Sequence, residues 1–236
     1  MVLHACVLIA CGASSRSGGE TDFAPTDHRS GALRYDEACQ DGSMRACNEL
    51  GARYLSGEGV PRDAVRARAL FERACDGGEV GACFNLGHLF HQGADGVAID
   101  LVRAASYYDR ACDGNDMGAC SNLGVLYRQG HGVERDAGRA AQLYQRACDG
   151  GLMDACNNLG ILYGRGEGVT RNDTTAATLF RRACDGNDPA GCLNLGILHQ
   201  GGIGVGRDLR RAAQLYQRAC ASQIEDACRR ARALER

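Results

Sequence analysis

The chain has 236 residues, a formal net charge of −2 and 44% hydrophobic residues, with no Trp. It also has no Lys, so every basic side chain is Arg or His, and no basic stripe interleaved with aromatics appears, which argues against nucleic acid as a partner. No apolar run is long enough to span a bilayer, and the 14 cysteines are many for this length.

The first element is apolar: Met1 to Ala10 carries one polar side chain, His4. The tetrad Leu8-Ile9-Ala10-Cys11 resembles the lipobox of bacterial lipoproteins. The resemblance implies lipidation of Cys11, and Gly12 after it implies an outer-membrane or surface position. The other reading of residues 1–11 is an ordinary signal-peptide remnant. Residues 12–31 are rich in Gly, Ser and Asp and are expected to form a flexible tether. Cys6 and Cys11 stand apart from the other twelve cysteines.

Those twelve form six Cys-x7-Cys pairs: Cys39/Cys47, Cys75/Cys83, Cys112/Cys120, Cys148/Cys156, Cys184/Cys192 and Cys220/Cys228. Successive first members lie 36 or 37 residues apart. A period in this range signals a solenoid of helical hairpins, whose units bury their apolar faces only by stacking. The pairs read as a disulfide framework in an oxidising compartment, with metal sites and free structural thiols as the alternatives. Zinc sites favour closer spacing, often with His nearby, and the six His are scattered.

Each unit is predicted to hold two helices. Helix A covers about 44–56, 80–93, 117–130, 153–165 and 189–201; helix B covers about 62–75, 99–112, 135–148, 172–184 and 207–220. In the third helix A, Leu123, Leu126 and Tyr127 share a face; Ala140, Leu143, Tyr144 and Ala147 do so in its helix B. Both stripes are assigned to the core. Gly51, Gly87, Gly124, Gly160 and Gly196 sit inside helix A, which costs about 0.5–1 kcal/mol each relative to Ala, so close helix approach is expected there. Segments such as Gly130-His131-Gly132-Val133 turn A into B, and Gly93-Ala94-Asp95-Gly96-Val97 holds one extra residue. Asp-Gly after Cys75, Cys112, Cys148 and Cys184 is expected to place Gly in a left-handed C-cap. Asp188-Pro189 reads as a cap and first-turn proline. A partial helix B from Ala32 to Cys39 precedes the five units. A partial helix A over about Glu225 to Arg236 follows, with Arg229, Arg230, Arg232 and Arg236 suited to an end cap. Each cysteine pair would join the end of one helix B to the start of the next helix A.

The string Asn-Leu-Gly-x-Leu-Tyr…Gly-x-Gly-Val-x-x-Asp…Ala-Ala-x-Leu-Tyr-x-Arg-Ala resembles the SEL-one-like repeat, a relative of the tetratricopeptide repeat. With its Cys-x7-Cys pairs, residues 32–236 are similar to the cysteine-rich Hcp proteins. The resemblance implies an all-α, right-handed α/α superhelical solenoid, disulfide-stapled, of five full repeats and two partial helices. It also implies an exported protein of the bacterial envelope, periplasm or medium, acting as an adaptor through its concave face. Some Hcp proteins are described as penicillin-binding or weakly β-lactamase-like, and that is the alternative function.

A Ser-x-x-Lys hydrolase needs a Lys, which this chain lacks. Ser106 and Ser121 have no evident base, His88 and His91 are a close pair without a nearby third ligand, and the Gly-x-Gly elements follow no strand. No catalytic residue, metal or cofactor is assigned. The candidate groove residues are Asn85, Asn122, Asn158 and Asn194, at one register of four helices A, where Glu49 stands in the first. Side-chain amides both donate to and accept from a peptide backbone; the competing role is to tie adjacent repeats together. The residue before each varies: Asn48, Phe84, Ser121, Asn157, Leu193. The expected partner is a protein or peptide, bound by a monomer that meets a membrane only through a lipid anchor. A structural envelope lipoprotein or a redox-assembly factor would carry the same repeats.

Overall fold

The computed structural model describes residues 28–234. Residues 1–27, which hold Cys6, Cys11 and most of the expected tether, lie outside the described residues, as does Arg236.

Twelve helices follow one another as antiparallel neighbours among the described residues. The leading partial helix B is α1 (His28–Gln40). Helices A are α2 (Met44–Ser56), α4 (Val80–Gln92), α6 (Met117–Gln129), α8 (Met153–Arg165) and α10 (Pro189–Gly201). Helices B are α3 (Ala64–Asp76), α5 (Leu101–Asp113), α7 (Ala137–Asp149), α9 (Asp173–Asp185) and α11 (Leu209–Ala221), and α12 (Glu225–Leu234) closes the series. The described residues hold no strand, only an isolated bridge between Ala94 and Val97 that absorbs the extra residue of the second turn.

Helices B begin one or two residues later than expected. Asp63, Asp100, Asp136, Asn172 and Asp208 stay extended, and each side chain accepts a hydrogen bond from the backbone N–H three residues on. The backbone N–H of each cap returns to the last turn of helix A, as from Asp136 to Tyr127 O at 2.9 Å. Helix α1 starts at His28, four residues before Ala32, and takes in the end of segment 12–31. The Asp-Gly expectation is corrected. Gly77, Gly114, Gly150 and Gly186 have φ between −73° and −82°. The left-handed residue is the next one: Gly78, Asn115, Gly151 or Asn187. The first Gly is needed for space, because a Cβ there would strike Met44, Val80, Met117 or Met153 at the start of the same repeat's helix A.

Within each hairpin the mid-helix glycine lies under an aromatic ring of helix B. A Cβ at Gly51, Gly87, Gly124, Gly160 or Gly196 would fall 2.5–2.9 Å from Phe71, Tyr108, Tyr144, Phe180 or Tyr216. Burial of these rings offsets the backbone cost of the glycine. Tyr108, Tyr144, Tyr216 and Phe71 are among the largest fully buried side chains. Between repeats, a Cβ on Gly132, Gly168 or Gly204 would overlap the first turn of the preceding helix B, so the Gly-x-Gly turns stack on the repeat before them.

Two substitutions separate space from propensity. Gly87→Ala is expected to lower stability by about 1–3 kcal/mol through overpacking against Tyr108, although Ala favours helix. Gly164→Ala in α8 would meet only Ala176 Cβ at 3.7 Å and is expected to gain up to about 1 kcal/mol. Urea unfolding of the oxidised protein measures both.

Candidate interaction surface

Six disulfides join the end of one helix B to the first turn of the next helix A, with Cα–Cα distances of 4.4–4.8 Å. Each closes a short loop, worth about 2.5 kcal/mol on a chain-entropy estimate. At five of the six joints an arginine of the following helix B reaches back to the preceding helix B. Arg110, Arg182 and Arg218 donate to the carbonyls of Cys75, Cys148 and Cys184 at 3.0, 2.7 and 2.9 Å. Arg73 and Arg146 contact Cys39 Sγ and Cys112 Sγ at 3.7 and 3.6 Å. These guanidinium groups satisfy terminal carbonyls and oppose the negative end of the helix dipole. The recurring Arg two residues before Cys75, Cys112, Cys148, Cys184 and Cys220 is their sequence signal.

Helices A of neighbouring repeats approach directly, α4 to α6 and α8 to α10, whereas helices B are bridged by those long side chains. Helices A therefore form one face of the stack.

The asparagine row divides on this face. Asn85 Nδ2 donates to Asn48 Oδ1 at 2.8 Å, and Asn194 Nδ2 donates to Asn157 Oδ1 at 2.7 Å. Both bonds tie neighbouring helices A, so these two residues have the inter-repeat role. Asn122 and Asn158 face Phe84 and Ser121 at the equivalent joints. They are half-buried and make no side-chain hydrogen bond among the described residues. Three residues further along each stripe stand His88, Val125, Ile161 and Ile197, all half-buried.

A second register on helix A follows the chemistry of the buried ring. Tyr216 donates to Gln200 Oε1 at 2.6 Å, Tyr108 meets His91 Nδ1 at 3.5 Å, and Tyr144 has the Arg128 guanidinium nearby. Where the ring is Phe71 or Phe180, that register holds Leu55 or Gly164. A buried phenol needs a partner and a phenyl does not. Burial pushes the Tyr144 hydroxyl up to about 12, against the opposing pull of Arg128.

His88 lies over Phe84 with centroids 6.4 Å apart, and His91 meets Tyr108 edge-on. Burial lowers both imidazole pKa values, and the charges of His88 and His131 lower His91 further. Both rings are packing groups here. Among the described residues no group of three or more His, Cys, Asp or Glu is placed to hold a metal ion. Ser106 is exposed on α5 and Ser121 is buried on α6.

The profile of the Sel1 repeat matches residues 45–79, 80–116, 118–152, 154–188 and 189–223. The chain belongs to the Sel1 repeat family. A Sel1 repeat protein from Oxalobacter formigenes is 24% identical with a TM-score of 0.75, covering 86% of this chain and 86% of that one. A Sel1 repeat protein from Klebsiella pneumoniae is 19% identical with a TM-score of 0.51, covering 87% of this chain and 99% of that one. At these identities the two show the fold. Helicobacter pylori cysteine rich protein B is 32% identical over 55% of this chain and 93% of its own, with a TM-score of 0.45. No curated protein matches the sequence significantly. Sel1 repeat proteins are typically protein-interaction scaffolds. In this Sel1 chain every junction between matched units lies at a disulfide joint.

Proposed function

We propose that this Sel1 chain is an exported adaptor that binds an extended protein or peptide segment along the face formed by its helices A. The observation that carries the reading is the pair Asn122 and Asn158: two amides at one register, on successive helices A, with donor and acceptor unused among the described residues. An extended backbone offers the complementary groups. The flanking aliphatic stripe of Val125, Ile161 and Ile197 supplies the apolar contact that such grooves need. The disulfides support an oxidising compartment. The lipobox-like Leu8–Cys11 supports attachment to a bacterial envelope membrane through Cys11, with the repeats acting as a monomer.

The test uses the oxidised chain and a random peptide display library. Binders are expected, and Asn122→Ala with Asn158→Ala should weaken them about tenfold, the loss of one or two hydrogen bonds. Thermal unfolding should move little, because neither amide bonds another side chain or the backbone among the described residues. Asn157→Ala is the contrast: it leaves Asn194 without its partner and should cost about 1–3 kcal/mol of stability. A collapse of stability in the Asn122/Asn158 variant, with binding otherwise intact, would contradict the groove. The anchor is tested separately, by mass spectrometry of membrane-fraction protein. A diacylglyceryl-modified Cys11 is expected, and an unmodified Cys11 would remove the anchor.

A further inference from the structure

One of the six disulfides differs from the rest in what surrounds it. The ten cysteines of the first five joints are 0–5% exposed. Cys220 and Cys228 are half-buried, and both line an open concavity with Gln217, Ala221, Ala231 and Arg232. Lying at an end of the described stack does not account for this. The first joint lies at the other end, yet Cys39 and Cys47 are 2% and 0% exposed, with an Arg73 guanidinium nitrogen 3.7 Å from Cys39 Sγ. At the first five joints an arginine of the following helix B reaches across. At the sixth, the concavity holds Arg232 of α12 itself, whose Nε donates to Cys228 O at 3.2 Å.

A thiolate exchanges with a disulfide only where it can reach a sulfur, and buried pairs are inert for that reason. The sixth pair is also polarised. Cys228 sits in the first turn of α12, where its N–H donates to Ile224 O at 3.1 Å, and Cys220 sits in the last turn of α11. A helix N-terminus and a guanidinium favour a thiolate, and a helix C-terminus opposes one. Asp226, in the same turn as Cys228, is engaged by Arg229 and Arg230 at 2.6 and 2.8 Å, and Glu225 is exposed to water. Cys228 is therefore the better leaving group, and Cys220 Sγ is the sulfur attacked.

We propose that Cys220–Cys228 is a thiol–disulfide exchange site for a small thiol of the glutathione class, while the other five pairs are staples. The thiolate of the reagent bonds Cys220 Sγ, the Cys220–Cys228 bond breaks, and its electron pair leaves on Cys228 Sγ beside Arg232. A second thiolate attacks the reagent sulfur of the mixed disulfide and releases Cys220 as a thiolate. Two thiols become one disulfide, and their two protons pass to Cys220 and Cys228. Helix α12 packs on α11 with Ala227 and Ala231 buried and Arg230 over the Tyr216 ring. Opening the pair removes its covalent tie, so α12 loosens while the joints before it stay closed.

The experiment exposes the oxidised chain, its free thiols blocked beforehand, to reduced glutathione under native conditions. Opened cysteines are alkylated and located by peptide mapping. Cys220 and Cys228 are expected to open about tenfold faster than any other pair, with the first glutathione adduct on Cys220. Hydrogen exchange should rise in α12 and stay unchanged in α2 to α10. Arg232→Gln should slow opening about threefold at low salt and less at high salt. Another pair opening first, or all six opening together, would overturn the site. A first adduct on Cys228 would overturn the direction of attack. An Arg232→Gln variant that opens as fast as the parent or faster would remove Arg232 from the chemistry, because a merely loosened helix speeds opening.

Discussion

The joint between one hairpin and the next is the constraint on which the molecule depends. A two-helix unit leaves one apolar face open and gains its core only from a neighbour. Here the neighbour is fixed on both sides of the turn: by a buried disulfide between helix B and the next helix A, and by an arginine from the following helix B. The joint is repeated with little variation, so the hairpins stack at a regular pitch. The same registers of helix A therefore come into line along the face that these helices form.

That regularity turns single-residue differences into chemistry. Where two Asn meet across a joint, they bond each other and the joint is closed. Where Phe84 or Ser121 replaces one of them, the facing Asn is left unused. The ring register shows the same logic in the core: a tyrosine brings a polar partner on helix A, and a phenylalanine does not. The surface that this account assigns to binding is thus defined by departures from a rule that the rest of the chain obeys.

Much of this was legible in the sequence, because repetition supplies its own comparison. The cysteine pairs, the mid-helix glycines and the longer second turn could each be read from spacing alone. The cap residues Asp63, Asp100 and Asp136 shifted the start of helix B, since an N-cap side chain looks like a first helical residue in a pattern of apolar positions. The role of the arginines before the cysteines was not legible in the sequence, because their partners lie about one repeat away. For the same reason the Asn row could not be divided in advance: the fate of Asn158 depends on Ser121, and that pairing exists only once the hairpins are stacked.

Peptide mapping of the oxidised protein under non-reducing conditions tests the central claim most directly. The account predicts six links, Cys39–Cys47, Cys75–Cys83, Cys112–Cys120, Cys148–Cys156, Cys184–Cys192 and Cys220–Cys228, each within one joint. A link between cysteines of different joints in the folded protein would contradict it.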